Sequence, residues 1–106
     1  MSTTARFIVL WGTPTDAEAF DRHYREVHIP LASRLPGLRR YTLSRNPAPI
    51  RGEEPLHQVA ELDWDDVAAL RNAFESQVGR ATADDVNHLA QWASVRSVVF
   101  EVEDLL

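Results

Sequence analysis

The segment Phe20 to Leu38, FDRHYREVHIPLASRLPGL, gathers an imidazole, a phenol and a carboxylate at helical spacing. At about 3.6 residues per turn Tyr24 and His28 lie one turn apart and Asp21 two turns before His28, so all three share one edge of a helix. A histidine half withdrawn from water beside a carboxylate titrates near neutrality and can move protons. On this reading His28 is a general acid or base, Asp21 holds one ring nitrogen and fixes the tautomer, and Tyr24 donates to a carbonyl or phenolate oxygen. Each residue also has a structural reading. His28 would bond a free carbonyl near Pro30, such as that of Glu26, Tyr24 would pack with its hydroxyl wet, and Asp21 would be solvated or paired with Arg25.

The other histidines complete no metal site. His23, five residues before His28, diverges from it around a regular helix, no HxH or HxxxH pair occurs, and His57 and His88 fall on other elements. A pocket is expected from the aromatic set Trp11, Tyr41, Trp64, Phe74 and Trp92, which would line an apolar binding site, with plain core filling as the alternative. One of Arg39 and Arg40, neighbours that point to opposite faces of a strand, would bind a carboxylate at its mouth.

Composition excludes more than the motifs assert. The 106 residues contain no cysteine and no lysine, so thiolate chemistry, cysteine metal sites, Schiff bases and a P-loop lysine are all ruled out. Sixteen acids scattered among eleven arginines give a net charge of -5 with no basic track for phosphates, so nucleic acid is not an expected partner. The apolar run after Arg6 is too short for a signal peptide and no stretch approaches membrane-spanning length, which reads as a cytoplasmic protein without membrane contact.

The elements that must position these groups follow from periodicity. Arg6 to Trp11 is a short apolar run closed by Gly12-Thr13-Pro14 and reads as a buried strand. Asp16 caps a helix whose apolar positions 20, 24, 27 and 31 run to Pro36-Gly37, with a kink expected at Pro30. Leu38 to Arg45 and His57 to Trp64 read as strands two and three, joined by a proline-rich loop, 46–56, with the character of a lid or binding loop. Asp65 or Asp66 caps a helix carrying Val67, Leu70 and Phe74, Gly79 interrupts it, and Thr82 with Asp85 has the spacing of a capping box before a second piece. Val95 to Val102 is strand four. The order βαββαβ is the ferredoxin-like α+β arrangement, a single domain whose four-stranded antiparallel sheet carries its helices on one face. Strands one and four are apolar at both parities, so the other face is expected to be covered by a second copy.

Phe20, Tyr24, His28, Pro30, Leu31 and Leu35-Pro36-Gly37-Leu38 together resemble the EthD family, and Phe74, Ser76 and 81–92 resemble its second half. The resemblance implies a homodimeric α/β barrel closed sheet to sheet, with the histidine and tyrosine beside its cavity. It implies a cofactor-independent enzyme acting on a small apolar oxygenated or aromatic metabolite, of isomerase, dehydratase or cyclase, or monooxygenase type. A non-catalytic accessory or ligand-binding protein of a metabolic pathway is the alternative. Haem binding is a third reading, since haem proteins of this barrel carry a histidine in the region of His88.

Overall fold

Four short, largely apolar segments build one antiparallel sheet. The computed structural model describes residues 4–106. Its strands are β1 (Ala5–Trp11), β2 (Arg40–Leu43), β3 (Gln58–Trp64) and β4 (Val95–Glu101), in spatial order β2-β3-β1-β4. This is the expected ferredoxin-like topology, with the most apolar strand, β1, paired on both sides. The register sets Phe7 opposite Leu62 on β3 and Val99 on β4, and Leu62 opposite Tyr41 on β2. These four side chains therefore share the face that the helices cover.

The helices are α1 (Ala17–His23), a five-residue π turn (Tyr24–His28), α2 (Ile29–Ala32), α3 (Val67–Glu75) and α4 (Gln77–Leu89). Asp16 and Asp66 cap α1 and α3 as their positions predict, accepting from the amides of Ala19 at 3.0 Å and Ala69 at 2.8 Å. Past α2 the chain reverses at Pro36-Gly37, where Gly37 has φ +73° and the Trp64 indole donates to the Pro36 carbonyl at 2.9 Å. A side chain at Gly37 would be strained in that conformation and crowd the Trp64 ring.

Two expectations for the second half are corrected. The break between α3 and α4 falls at Ser76, not Gly79: Ser76 Oγ accepts from the Gly79 amide at 3.0 Å and so caps α4. Gly79 lies inside the first turn of α4, where an added Cβ would run into the Ala73 carbonyl and the Phe74 backbone. Thr82 and Asp85 then lie mid-helix and cap nothing. The Thr82 hydroxyl donates instead to the Val78 carbonyl at 2.7 Å.

The second face of the sheet is bare. Ile8, Leu10, Val59, Val98 and Phe100 alternate onto it, with Val98 47% and Phe100 39% exposed. Among them runs an ion network in which Arg6 clamps Asp63 with two bonds of 2.8 and 3.0 Å, while Arg40 approaches the same carboxylate at 3.4 Å. The bond from Arg6 holds the Asp63 carboxyl below its ordinary value despite partial burial. Arg40 is therefore committed on this outer face and Arg39 pairs with Asp65 at 3.6 Å, so neither arginine reaches a pocket mouth as expected. The molecule measures 42 × 35 × 17 Å and exposes 7150 Å², against about 6,000 Å² for a typical monomer of its 12.0 kDa mass. A single sheet covered on one side accounts for that excess.

Candidate functional site

The helix-covered face does not close completely. Between the sheet and the helices lies a cavity of about 380 Å³ walled by Phe7, Leu62, Leu70 and Phe74 and floored by Trp11, with exposed Asn87 on α4 and Ser97 and Val99 on β4 at its rim. Its polar groups are few. Tyr24, His28 and Tyr41 all line it, so the two residues expected to carry chemistry and one expected to bind do meet in one space.

The π turn is what arranges them. The Ile29 amide donates to the Tyr24 carbonyl, an i→i+5 bond that widens the helix by one residue. Pro30 supplies no amide and its ring would press on the preceding turn, so a local widening just before it relieves the conflict that elsewhere produces a kink. In such a turn residues five apart fall about one turn from each other. The expectation that His23 and His28 diverge, which holds for a regular helix, is overturned. His23 Nε2 lies 2.7 Å from Asp85 Oδ1, and His28 Nδ1 lies 2.8 Å from Asp85 Oδ2.

Asp85 on α4, rather than Asp21, thus orients His28. Asp21 points elsewhere and accepts from His57 Nε2 at 2.8 Å, because its place on the opposite flank of α1 faces the start of β3. Nor does His28 reach the Glu26 carbonyl. A readable signal for Asp85 does exist: it shares a helix face with Thr82, Val86 and Leu89, where a carboxylate demands partners. Burial tends to raise the Asp85 carboxyl, but its bonds from His23 and His28 hold it below its ordinary value. An ionised carboxylate only accepts, so His28 carries its proton on Nδ1 and Nε2 is left with a lone pair for a ligand. His28 is 6% exposed, and burial pulls it below its ordinary 6.5 despite the opposing pull of Asp85. The ring is neutral at pH 7.

Beside it stand two phenols. Tyr24 Oη and Tyr41 Oη lie 3.2 Å apart, and burial raises both phenols, Tyr24 well above the usual tyrosine value. Two hydroxyls sharing one bond leave one O–H uncommitted. The Tyr24 ring, stacked on Phe20, is 5.0 Å from the His28 ring, so a hydrogen-bond donor and a base border the same space.

The remaining expected binding residues separate. Trp11, Tyr41 and Phe74 line the cavity, whereas Trp64 is core, sealed over Gly37, and Trp92 lies outside it, tilted against His23 and edge-on to His88. His88 is exposed and lies outside the cavity, with its ring 4.4 Å from that of His23. Among the described residues no cluster of histidine and acidic groups has the arrangement of a metal site, and no helix is long and apolar enough to cross a membrane. No residue of the loop 46–56 lines the cavity. Glu54 instead pairs with Arg96 at 2.6 Å and holds the loop over the start of β4.

Comparison with known proteins agrees with this fold. A model of the EthD domain matches residues 13–91. An uncharacterised 11.0 kDa protein encoded in the thcB-thcC intergenic region of Rhodococcus erythropolis is 30% identical over 86 residues, covering 80% of this chain and 82% of that protein. The crystal structure of an EthD family protein from Bacillus halodurans superposes with a TM-score of 0.79 at 27% identity, covering 96% of this chain and 99% of that one. The cofactor-independent oxygenase SnoaB of Streptomyces nogalater shares the fold at 18% identity, with a TM-score of 0.71 over 99% of this chain and 98% of its own.

Proposed function

The chain belongs to the EthD family, and from that premise we propose that it is a cofactor-independent acid–base enzyme for a small, mostly apolar oxygenated or aromatic metabolite. The observation that carries this reading is the pairing, in one apolar cavity, of neutral His28 with its Nε2 uncommitted and a phenol pair with one spare O–H. Nε2 accepts a proton from a carbon next to a carbonyl. The electron pair of that C–H bond moves toward the oxygen, which the free phenol stabilises, and Asp85 balances the imidazolium that forms. Return of the proton to a different carbon gives isomerisation, and expulsion of a neighbouring hydroxyl as water gives dehydration. A substrate anion able to reduce dioxygen itself would extend the same step to oxygenation.

Support for the substrate class comes from the walls. Apart from Tyr24, His28 and Tyr41 and the smaller polar groups of Thr82, Asn87 and Ser97, the cavity is lined by aromatic and aliphatic groups, and no arginine reaches it, so an anionic ligand has no counter-ion there. The same reading has two copies joined through the bare sheet face.

The reading is tested by deuterium exchange. Incubation in D₂O with a panel of aryl ketones and 1,3-diketones, 1-indanone among them, is expected to show α-carbon exchange faster than buffer for the wild type and lost in His28→Ala. Failure of the wild type to accelerate any member would sink the enzymatic reading. Tight binding of the same compounds, read by Trp11 fluorescence, with no exchange would favour a ligand-binding protein instead.

A further inference from the structure

Asp85 is bonded by two histidines at once, one on each oxygen, and only one of them belongs to the cavity. His28 lines it with a side chain 7% exposed, whereas His23 lies on the solvent side with its side chain 20% exposed, and Asp85 between them is 12% exposed. We infer that His23 is a positioning residue for His28, acting through Asp85: it occupies Oδ1 so that Oδ2 stays on His28 Nδ1.

The stereochemistry supports this. A carboxylate on a helix turns about its side-chain bonds, and a donor on each oxygen stops that rotation. With His23 in place the plane of Asp85 is fixed by two bonds of 2.7 and 2.8 Å, from the last residue of α1 and the last of the π turn. Remove His23 and one oxygen is freed, so Asp85 can turn and His28 loses the partner that fixes its tautomer.

Asp85 is the only anion in contact with either ring among the described residues, so neither histidine has a second carboxylate to turn to. The π turn is the device that allows the shared contact, because in a regular helix the two rings would not face one carboxylate.

The inference rests on reading His28 as the cavity's base, but its test needs no turnover, so the two fail separately. In the ligand-free protein labelled with ¹⁵N and ¹³C at histidine, NMR at neutral pH reads the tautomer of each ring. In the wild type His28 is expected as the Nδ1–H tautomer. His23→Gln keeps a donor for Oδ1, so His28 should keep its tautomer, whereas His23→Ala should mix the tautomers. A merely structural His23 would alter stability and leave the His28 tautomer as it is. The inference is overturned by an unmixed Nδ1–H tautomer of His28 in folded His23→Ala. Should that variant not fold, a wild-type His28 on the Nε2–H tautomer overturns it equally.

Discussion

His28 and Asp85 are 57 positions apart in the chain and 2.8 Å apart in space, Nδ1 against Oδ2. One sits at the end of a π turn and the other within α4, so their contact exists only once the two helical segments have docked side by side on the sheet. Replacing Asp85 by Asn keeps the shape and removes the charge. The His28 tautomer should become mixed, and any exchange activity should fall by roughly 10²- to 10⁴-fold. Histidine ¹⁵N shifts and exchange rates measured on the same sample check this.

The phenol pair makes an unusual prediction about additivity. Tyr24→Phe or Tyr41→Phe each leaves one free O–H in the cavity, so each alone should reduce activity less than about threefold. The double variant has no donor and should lose on the order of 10²-fold, well beyond the product of the single effects. A multiplicative double mutant would show that the hydroxyls act separately.

Stability should depend on pH through His28. Burial holds its folded value below 6.5, so between about 6.5 and the folded midpoint the unfolded chain binds more protons than the native one. Stability attributable to this group is therefore complete above 6.5 and declines as pH falls through the folded value. Urea midpoints at pH 7.5, 6 and 5 should fall in that order for the wild type and fall less for His28→Gln. A further loss at lower pH follows from Asp63 and Asp85, whose depressed values mean stability that is present above about 3.8 and lost on descending through them.

Gly79→Ala should destabilise the protein although alanine is the better helix former. Its Cβ has no room against Ala73 and Phe74 where α3 meets α4. The expected cost is about 3 kcal/mol, measured by chemical denaturation with an unchanged slope.

The outer sheet face should decide assembly. Wild-type protein is expected to sediment as a dimer, and Val98→Asp, which puts a charge among Ile8, Leu10 and Phe100, should shift it to monomer or unfold it. Val98 is the informative valine on β4, since Val99 faces the cavity. A stable monomeric wild type at micromolar concentration contradicts the prediction.

Much of this molecule was determined locally. The absence of cysteine and lysine removes whole classes of chemistry whatever the fold. Four apolar runs, the Asp16 and Asp66 caps and the Pro36-Gly37 reversal set the strands, the helix starts and the ferredoxin-like order, because each depends on interactions within a few residues. Tyr24 and His28, four apart on one helix, were legible as a pair for the same reason. Tertiary structure decided the rest. Asp21 and Asp85 are both helix carboxylates with histidines within reach on paper, and only the packing of α4 against the π turn selected Asp85 for His28 and gave Asp21 to His57. The Thr82–Asp85 spacing suggested a cap until Ser76 took that role and left Asp85 on a buried face. A π turn shifts every later side chain around the helix axis by one residue, so the meeting of His23 and His28 on one carboxylate follows from how the chain relieves Pro30 and seats its helices, not from the spacing of the two histidines.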